Sequence, residues 1–265
     1  MTKYDFDQII ERKNTNCLKY DFAVERHRPA DILPFWVADM DFAVPSEVIE
    51  ELVKRSRHGI FGYTDIKEDY FLTLKKWFAR QHAWQLKDKS LVVTPGVVFA
   101  ICAAIRAFTE ENDAVLIQRP VYYPFSLSIE QNNRRLINNP LVLQAGRYEI
   151  DFADFEQKII EHKVKLFILC NPHNPVGRVW TRDELTRLGD ICVKHDVLVV
   201  ADEIHEEFTR PGYKHLVFAD LKPEYALRTI TCTAPSKTFN LAGLQISNIF
   251  IENDSLKRSF VNAMD

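Results

Sequence analysis

Short apolar runs alternate with helix-like segments along the chain from residue 91 onward. The segments VVFAICAAIRAFTE, DFADFEQKIIEHK and TRDELTRLGDICVKHD have the spacing or capping of helices, and in the last of them Thr181 and Glu184 predict a capping box. This alternation predicts an α/β fold with a mostly parallel central sheet and helices on both faces. The apolar runs, each ending in polar or turn-forming residues, are SLVVTPG, DAVLIQRP, KLFILCNP, VLVVADEI, RTITCTAP and ISNIFIE.

The chain before residue 91 has a different pattern. Pro29, Pro34 and Pro45 interrupt the first 45 residues, so we expect this segment to be irregular and to lie over the surface of another part of the protein. The next segment, PSEVIEELVKRSRHG, predicts a helix capped by Ser46 and followed by Gly59. Apolar residues at helical spacing in IKEDYFLTLKKWFARQH predict a second helix.

Composition and charge narrow the classes of function. A hydrophobic content of 46%, a charged content of 27% and a net charge of −3 are typical of a globular protein, and they argue against binding nucleic acid or an acidic membrane surface through overall charge. No apolar run approaches the roughly 20 residues of a membrane-spanning helix. Five cysteines without C-x-x-C or metal-ligand spacing, and no recognisable signal peptide, predict a cytoplasmic protein without a metal site.

Candidate ligand-binding residues follow the predicted strands, where open α/β sheets bind their ligands. Gly96, Val97 and Val98 come after the first run, and the N–H groups that open the following helix could bind a phosphate; a simple tight turn is the alternative. After KLFILC, the sequence NPHNPVG predicts a rigid turn. That turn either shapes the loop alone or holds the amide of Asn174 towards a ligand.

A carboxylate and an amine follow two later runs. Asp202 ends a strongly apolar strand, where a buried carboxylate needs a cationic partner, and His205 is either a polar loop residue or part of the same site. Lys237 lies among small residues in TAPSKTFNLAG, and this pattern predicts that the lysine is buried. Desolvation would lower the pKa of its amine and free it for Schiff-base chemistry. The alternative is a surface lysine, which is what a lysine after a strand usually is. A phosphate-binding turn, an amide, a buried carboxylate and a reactive lysine, in this order, are what pyridoxal 5′-phosphate requires.

Longer motifs carry a family resemblance. NPHNPVGRVWT, VVADEIHEEF and APSKTFNLAGL resemble the fold-type I pyridoxal-phosphate enzymes of the aspartate aminotransferase superfamily. LPFWVADMDF, GIFGYT, RPVYYPF and ADEIH resemble its C–S β-lyase branch, the cystathionine β-lyases related to the maltose-regulon modulator. The resemblance implies a homodimer with a shared active site that cleaves cystathionine or a related cysteine S-conjugate by β-elimination, giving thiol, pyruvate and ammonia. An aminotransferase and a non-catalytic, cofactor-binding or regulatory remnant stay open as alternatives.

The resemblance also implies roles for individual residues. Lys237 would carry the Schiff base and move the substrate's α-proton, and Tyr123 is a catalytic candidate on the substrate side. Asp202 would pair with the pyridine nitrogen. The other implied cofactor contacts are the phenolic oxygen (Asn174, His205), the ring face (Tyr122), the phosphate (Gly96, Val97, Val98, Ser236) and the phosphate of the other subunit (Tyr63).

The resemblance further implies a domain organisation. Members of the family continue into a small C-terminal domain, whereas this sequence ends at SFVNAMD, so we expect that domain to be largely missing. Residues 1–45 would then be the irregular segment that normally packs on the small domain, and residues 46–265 the pyridoxal-phosphate-binding large domain. Gln245 stands where many aminotransferases have an arginine that holds the phosphate.

Overall fold

The structure is a computed structural model that describes residues 4–264. The chain groups into two compact units, which we call the first unit (residues 4–63 and 235–244) and the second unit (residues 64–234 and 245–264). As expected, residues before the first helix contain turns and bends but no helix or strand in the described part, from residue 4 onward. The proposed division into residues 1–45 and 46–265 stays a prediction.

The helices and strands follow the predicted alternation. In chain order, the helices are α1 (Ser46–His58), α2 (Glu68–His82), α3 (Val97–Phe108), α4 (Pro124–Gln131), α5 (Phe152–His162), α6 (Arg182–Lys194), α7 (Pro223–Ala226), α8 (Pro235–Thr238) and α9 (Asp254–Asn262). The strands are β1 (Leu91–Thr94), β2 (Ala114–Ile117), β3 (Arg135–Asn138), β4 (Val142–Gln144), β5 (Arg147–Glu149), β6 (Leu166–Cys170), β7 (Leu198–Asp202), β8 (Thr229–Thr233) and β9 (Ser247–Phe250). Short 3₁₀ helices cover Phe218–Asp220 and Ala242–Leu244.

The second unit contains a seven-stranded sheet in the order β1-β9-β8-β7-β6-β2-β3. The pairs β2–β3, β2–β6, β6–β7 and β7–β8 are parallel, whereas β9 is antiparallel to both β1 and β8. Because two antiparallel steps restore the direction, β1 runs the same way as β8. Every strand of this sheet except β9 therefore ends at the same edge, which confirms the predicted α/β class with a mostly parallel sheet.

Helices cover both faces of this sheet. Successive strand residues point to opposite faces, so alternate residues of β6 and β7 enter two different apolar clusters. One cluster includes residues of α3, α4 and α9, and the other includes residues of α5, α6 and α7. Burying each large aliphatic side chain contributes about 1.5–3 kcal/mol, so the paired strands and their flanking helices are held as one core.

A third cluster covers the β1–β9 edge of the sheet. Phe78 of α2 meets the rings of Trp84 and Phe250 edge-on, at centroid distances of 5.3 and 5.2 Å. These rings are almost fully buried. The predicted second helix is therefore fixed to the sheet by its aromatic face.

The helix ends test the predicted caps. Thr181 and Glu184 form the predicted capping box at the start of α6, and Gly59 ends α1 in the left-handed conformation. The prediction that Ser46 caps α1 is wrong: Pro45 occupies the N-cap position, and Ser46 is already helical. The Ser46 hydroxyl donates to a carboxylate oxygen of Glu47 instead of capping the helix. Among residues 4–264, no helix combines the length and apolar character needed to cross a bilayer.

Candidate functional site

The common edge formed by the strand ends of the second unit carries most of the predicted site. Asp202 is the last residue of β7, and the turn with Asn174 follows β6. Gly96 lies between β1 and α3, and Tyr122 lies between β2 and α4. The parallel strands thus bring to one edge four residues that are far apart in sequence.

Asp202 is buried, with 5% of its surface exposed, as the sequence predicts. Its Cα is paired in register with those of Cys170 and Cys232 on the neighbouring strands. One carboxylate oxygen accepts the backbone N–H of Ile204 at 3.1 Å. Burial, together with the negative charge of Asp202, raises the pKa of the Cys170 thiol, so this cysteine stays protonated beside the carboxylate.

Tyr122 is electrostatically coupled to Asp202. Burial raises the pKa of the Tyr122 phenol, and the neighbouring Tyr123 and Asp202 raise it further. The Tyr122 ring meets Phe125 edge-on at 6.1 Å, which fixes its orientation at the start of α4. The Asp202 carboxylate therefore lies close enough to the Tyr122 phenol for its charge to act on it.

The turn after β6 is rigid. The backbone N–H of His173 donates to Arg178 at 2.7 Å, and that of Gly177, at φ +67°, donates to His173 at 2.8 Å. The Asn174 N–H donates to the Cys170 sulfur at 3.4 Å. Arg178 Nη2 donates to both carboxylate oxygens of Glu184, at 2.6 and 2.8 Å. These contacts hold half-buried Asn174 in a defined position at the sheet edge.

His173 links two strand ends, a role that its place in the motif NPHNPVG does not indicate. Its buried ring lies edge-on to Trp180, and Nε2 is 3.0 Å from the carbonyl oxygen of Pro120 in the loop that leads to Tyr122. A carbonyl oxygen can only accept, so Nε2 carries the proton. The bond ties the loop before Tyr122 to the turn that carries Asn174.

The start of α3 fits the binding of an anion. A Cβ placed on Gly96 would have no heavy atom within 4 Å, so open space lies beside the backbone where the helix begins. The N–H groups of Val97 and Val98 belong to the first turn and have no acceptor within the helix. Thr94 steadies the preceding strand end by hydrogen bonding to Ser247 at 2.7 Å. Backbone N–H groups and open space together can accommodate a phosphate.

The two remaining predicted residues of the second unit are Tyr123 and His205, and both are accessible at least in part, as is Tyr122 at 37% exposure. Tyr123 is 71% exposed, and it borders an open groove of about 740 Å³ that is also lined by Arg119 and Tyr148. His205 is half-buried, and its ring lies 5.9 Å from that of Phe208. Tyr123 is thus exposed to a ligand in the groove.

The first unit contains Tyr63, Ser236 and Lys237. The expectation that Lys237 is buried is wrong: the lysine is half-buried, because the single turn of α8 has no fully buried residue. Ser236 is also half-buried, and its carbonyl oxygen accepts the N–H of Leu241 at 2.9 Å. Tyr63 is fully exposed.

Asn240 holds the loop after Lys237 within the first unit. Its side-chain oxygen accepts the N–H of Met40 at 3.0 Å, and its amide donates to the carbonyl oxygens of Met40 and Phe42 at 3.1 and 2.9 Å. Asn240 has a φ of +56°, which asparagine tolerates better than most residues. The two motifs VADMDF and KTFNLAG are therefore joined by one side chain.

Comparison with known proteins gives the same family as the sequence motifs. A model of the aminotransferase class I and II family matches residues 30–265. The chain belongs to this family. It is 46% identical to cystathionine β-lyase PatB of Bacillus subtilis, over 98% of this chain and 67% of that protein. It is 34% identical to MalY of Escherichia coli, over 98% of this chain and 66% of that protein.

A solved structure with the same fold contains the expected cofactor. Cystalysin from Treponema denticola, described as containing pyridoxal 5′-phosphate, is 42% identical and superposes with a TM-score of 0.94, covering 99% of this chain and 67% of that one. The resemblance to the pyridoxal-phosphate enzymes is thereby confirmed. The chain spans about two thirds of the length of these relatives.

Proposed function

We propose that the chain binds pyridoxal 5′-phosphate and catalyses β-elimination on cystathionine or a related cysteine S-conjugate, giving thiol, pyruvate and ammonia. The observation that carries this proposal is the buried carboxylate of Asp202 coupled to the Tyr122 ring at the common strand edge. A buried carboxylate at this position stabilises a protonated ring nitrogen. Membership of the family and similarity to a cystathionine β-lyase support this class of reaction.

The residues at the strand edge fit the cofactor, and each has a proposed task. The carboxylate of Asp202 keeps the pyridine nitrogen protonated, and the Tyr122 ring packs against the face of the cofactor ring. The Asn174 amide donates to the phenolic oxygen, with His205 next to that oxygen. The phosphate is bound by the N–H groups at the start of α3 (Gly96, Val97, Val98) and by the Ser236 hydroxyl.

Lys237 provides the reactive amine. When bound, pyridoxal phosphate supplies an electron sink that stabilises negative charge at the α-carbon of the substrate. Lys237 would hold the cofactor through its side-chain amine and would accept and return the proton that leaves the α-carbon of the substrate. Tyr123, exposed at its groove, would contact the substrate. Release of the thiol from the β-carbon leaves aminoacrylate, which one water molecule hydrolyses to pyruvate and ammonia.

The proposed assembly is a homodimer. Tyr63 is fully exposed on the first unit, and we assign it to the phosphate bound by the other subunit. Its aromatic ring and hydroxyl suit such a contact, because the hydroxyl can donate to a phosphate oxygen while the ring packs against the partner. The small-molecule substrate is an amino acid, and the proposed location of the protein is the cytoplasm.

The first test is the visible absorption spectrum of the purified 265-residue chain with pyridoxal phosphate. We expect a Schiff-base band that borohydride removes in the wild type and in Lys165→Ala, which changes an exposed lysine. Lys237→Ala should lack the band. Absence of the band from the wild type, or its persistence in Lys237→Ala, would contradict the proposed attachment.

A second assay separates the reaction classes. With cystathionine, the β-lyase proposal predicts release of thiol and pyruvate without any keto acid. An aminotransferase would instead require a keto acid and transfer the amino group to it. A bound Schiff base with neither activity would support the remaining alternative, a cofactor-binding remnant without catalysis.

A further inference from the structure

Three glutamates that follow β7 form a cluster with two histidines of the second unit, and the proposed function uses none of them. His215 Nε2 lies 2.9 Å from Glu203 Oε2, and His82 Nε2 lies 2.9 Å from Glu207 Oε1. The two imidazole rings are edge-on at a centroid distance of 5.5 Å. Glu206 lies between these pairs. One of its carboxyl oxygens is within 4.8 Å of ligand atoms of Glu203 and His215, and one is within 4.8 Å of ligand atoms of His82 and Glu207.

Two of the three glutamates, Glu203 and Glu207, have hydrogen-bond partners within the protein for their buried or half-buried carboxylates. Glu203 accepts the backbone N–H of Phe218 at 2.9 Å in addition to facing His215, so it fixes the loop that returns to the core. Glu207 accepts the indole N–H of Trp77 at 3.1 Å in addition to facing His82. These contacts give Glu203 and Glu207 defined positions whether or not an ion is bound.

Glu206 is not explained in this way. The residue is 6% exposed, and its buried Oε2 has no hydrogen-bond partner among residues 4–264. A carboxylate in this position is strongly unfavourable unless a positive charge lies next to it.

We propose that Glu203, Glu206 and His215 bind one divalent metal ion that prefers imidazole and carboxylate ligands, such as Zn²⁺. The 2.9 Å between His215 Nε2 and Glu203 Oε2 is a hydrogen-bond distance in the absence of an ion. Two ligands that are each about 2.0–2.2 Å from one tetrahedral ion lie about 3.4 Å apart, so a shift of about 0.5 Å would let both atoms bind it. Two carboxylates and a neutral imidazole balance the double positive charge. Imidazole suits zinc and its neighbours better than magnesium or calcium, which prefer oxygen ligands alone.

The His82–Glu207 pair lies on the more accessible side of this site. Glu207 is half-buried, whereas Glu203 and His215 are fully buried. This pair can orient Glu206 without being required as a ligand, because it is already satisfied by its own contact and by Trp77. Removing His82 should therefore weaken binding much less than removing His215.

The test is a titration of the chelator-treated 265-residue chain with Zn²⁺ alone, in competition with a chromophoric chelator and without pyridoxal phosphate. We expect one tightly bound ion per chain in the wild type and in Glu130→Gln, which makes the same chemical change at an exposed residue. Glu206→Gln should weaken binding at least 100-fold. Because an amide has the size of the carboxyl group and no charge, this variant should retain the fold, and thermal unfolding without metal checks that it does.

A second measurement identifies the ligands. With Co²⁺ as the probe, the visible band of the bound ion should be lost in His215→Gln and kept in His82→Gln, with affinity within 10-fold of the wild type. The proposal is overturned if the wild type binds no stoichiometric ion, or if Glu206→Gln binds as tightly as the wild type. Loss of the band in His82→Gln with retention in His215→Gln would overturn the assignment of His215 as the ligand. If His215→Gln does not fold, the zinc affinity of Glu206→Gln decides whether the site exists.

Discussion

Stability below neutral pH should depend on His173. The ring is 2% exposed and donates from Nε2 to the Pro120 carbonyl oxygen. Burial lowers the pKa of His173 from 6.5 to about 4, and the nearby positive charge of Arg178 acts in the same direction. In the unfolded chain the imidazole titrates near its ordinary value, so the two states bind protons differently between these limits.

The sign and size of the effect follow from that difference. As pH falls through 6.5, the unfolded chain takes up a proton that folded His173 does not, so protonation favours unfolding. The contribution of neutral His173 to the free energy of unfolding is fully present above pH 6.5 and is lost progressively as the pH falls towards 4. The whole difference corresponds to about 3 kcal/mol, of which about 2 kcal/mol is lost between pH 7 and pH 5.

The assay compares urea unfolding of the wild type and His173→Gln from pH 7 to pH 5 at constant ionic strength. A glutamine amide can still donate to Pro120 but does not titrate in this range. Other titrating groups are common to both proteins, so the difference between the two curves isolates His173. We expect the wild type to lose about 2 kcal/mol more than the variant. Parallel curves would refute the assignment of His173 as a buried, neutral donor.

Two further predictions concern packing and the lysine loop. A Cβ on Gly189 would lie 2.4 Å from a ring carbon of Tyr225, so Gly189→Ala should lower the free energy of unfolding, measured in urea, by about 1–3 kcal/mol. In a Tyr225→Ala background the same change should be neutral or stabilising, because the clash is gone and alanine favours the helix. Destabilisation in both backgrounds would contradict the clash. Asn240→Ala removes the hydrogen bonds to Met40 and Phe42, so the Met40 amide should exchange its hydrogen faster; unchanged exchange would show that the side chain does not hold this loop.

The fold was largely predictable because its strands are either fully apolar or end at clear turns. Buried runs such as residues 166–170 and 198–202 give a strong signal, and the helices between them have caps or helical spacing. The strands at 135–138, 142–144 and 147–149 were missed because each is only three or four residues long and contains polar residues, so none forms an apolar run. The antiparallel direction of the last strand was also not visible, since a short apolar run looks the same in either direction.

The sequence predicted the residues of the candidate site better than the residues whose hydrogen bonds hold its loops in place. Asp202 and Asn174 were found because they follow apolar strands, where a polar residue is conspicuous. His173 and Asn240 were missed because their partners lie 53 and 200 residues away along the chain. The burial of Lys237 was overestimated because small neighbouring residues indicate a tight turn as much as a buried one.

Strand alternation separates the two proposed sites at the end of β7. Asp202 faces the side of the sheet that holds Cys170 and Tyr122, whereas Glu203, the next residue, faces His215 and the backbone of Phe218. Two adjacent carboxylates can therefore serve different sites without sharing a ligand. It follows that Asp202→Asn should weaken cofactor binding and leave zinc affinity unchanged, and that Glu206→Gln should do the reverse. Failure of one proposal then leaves the other standing.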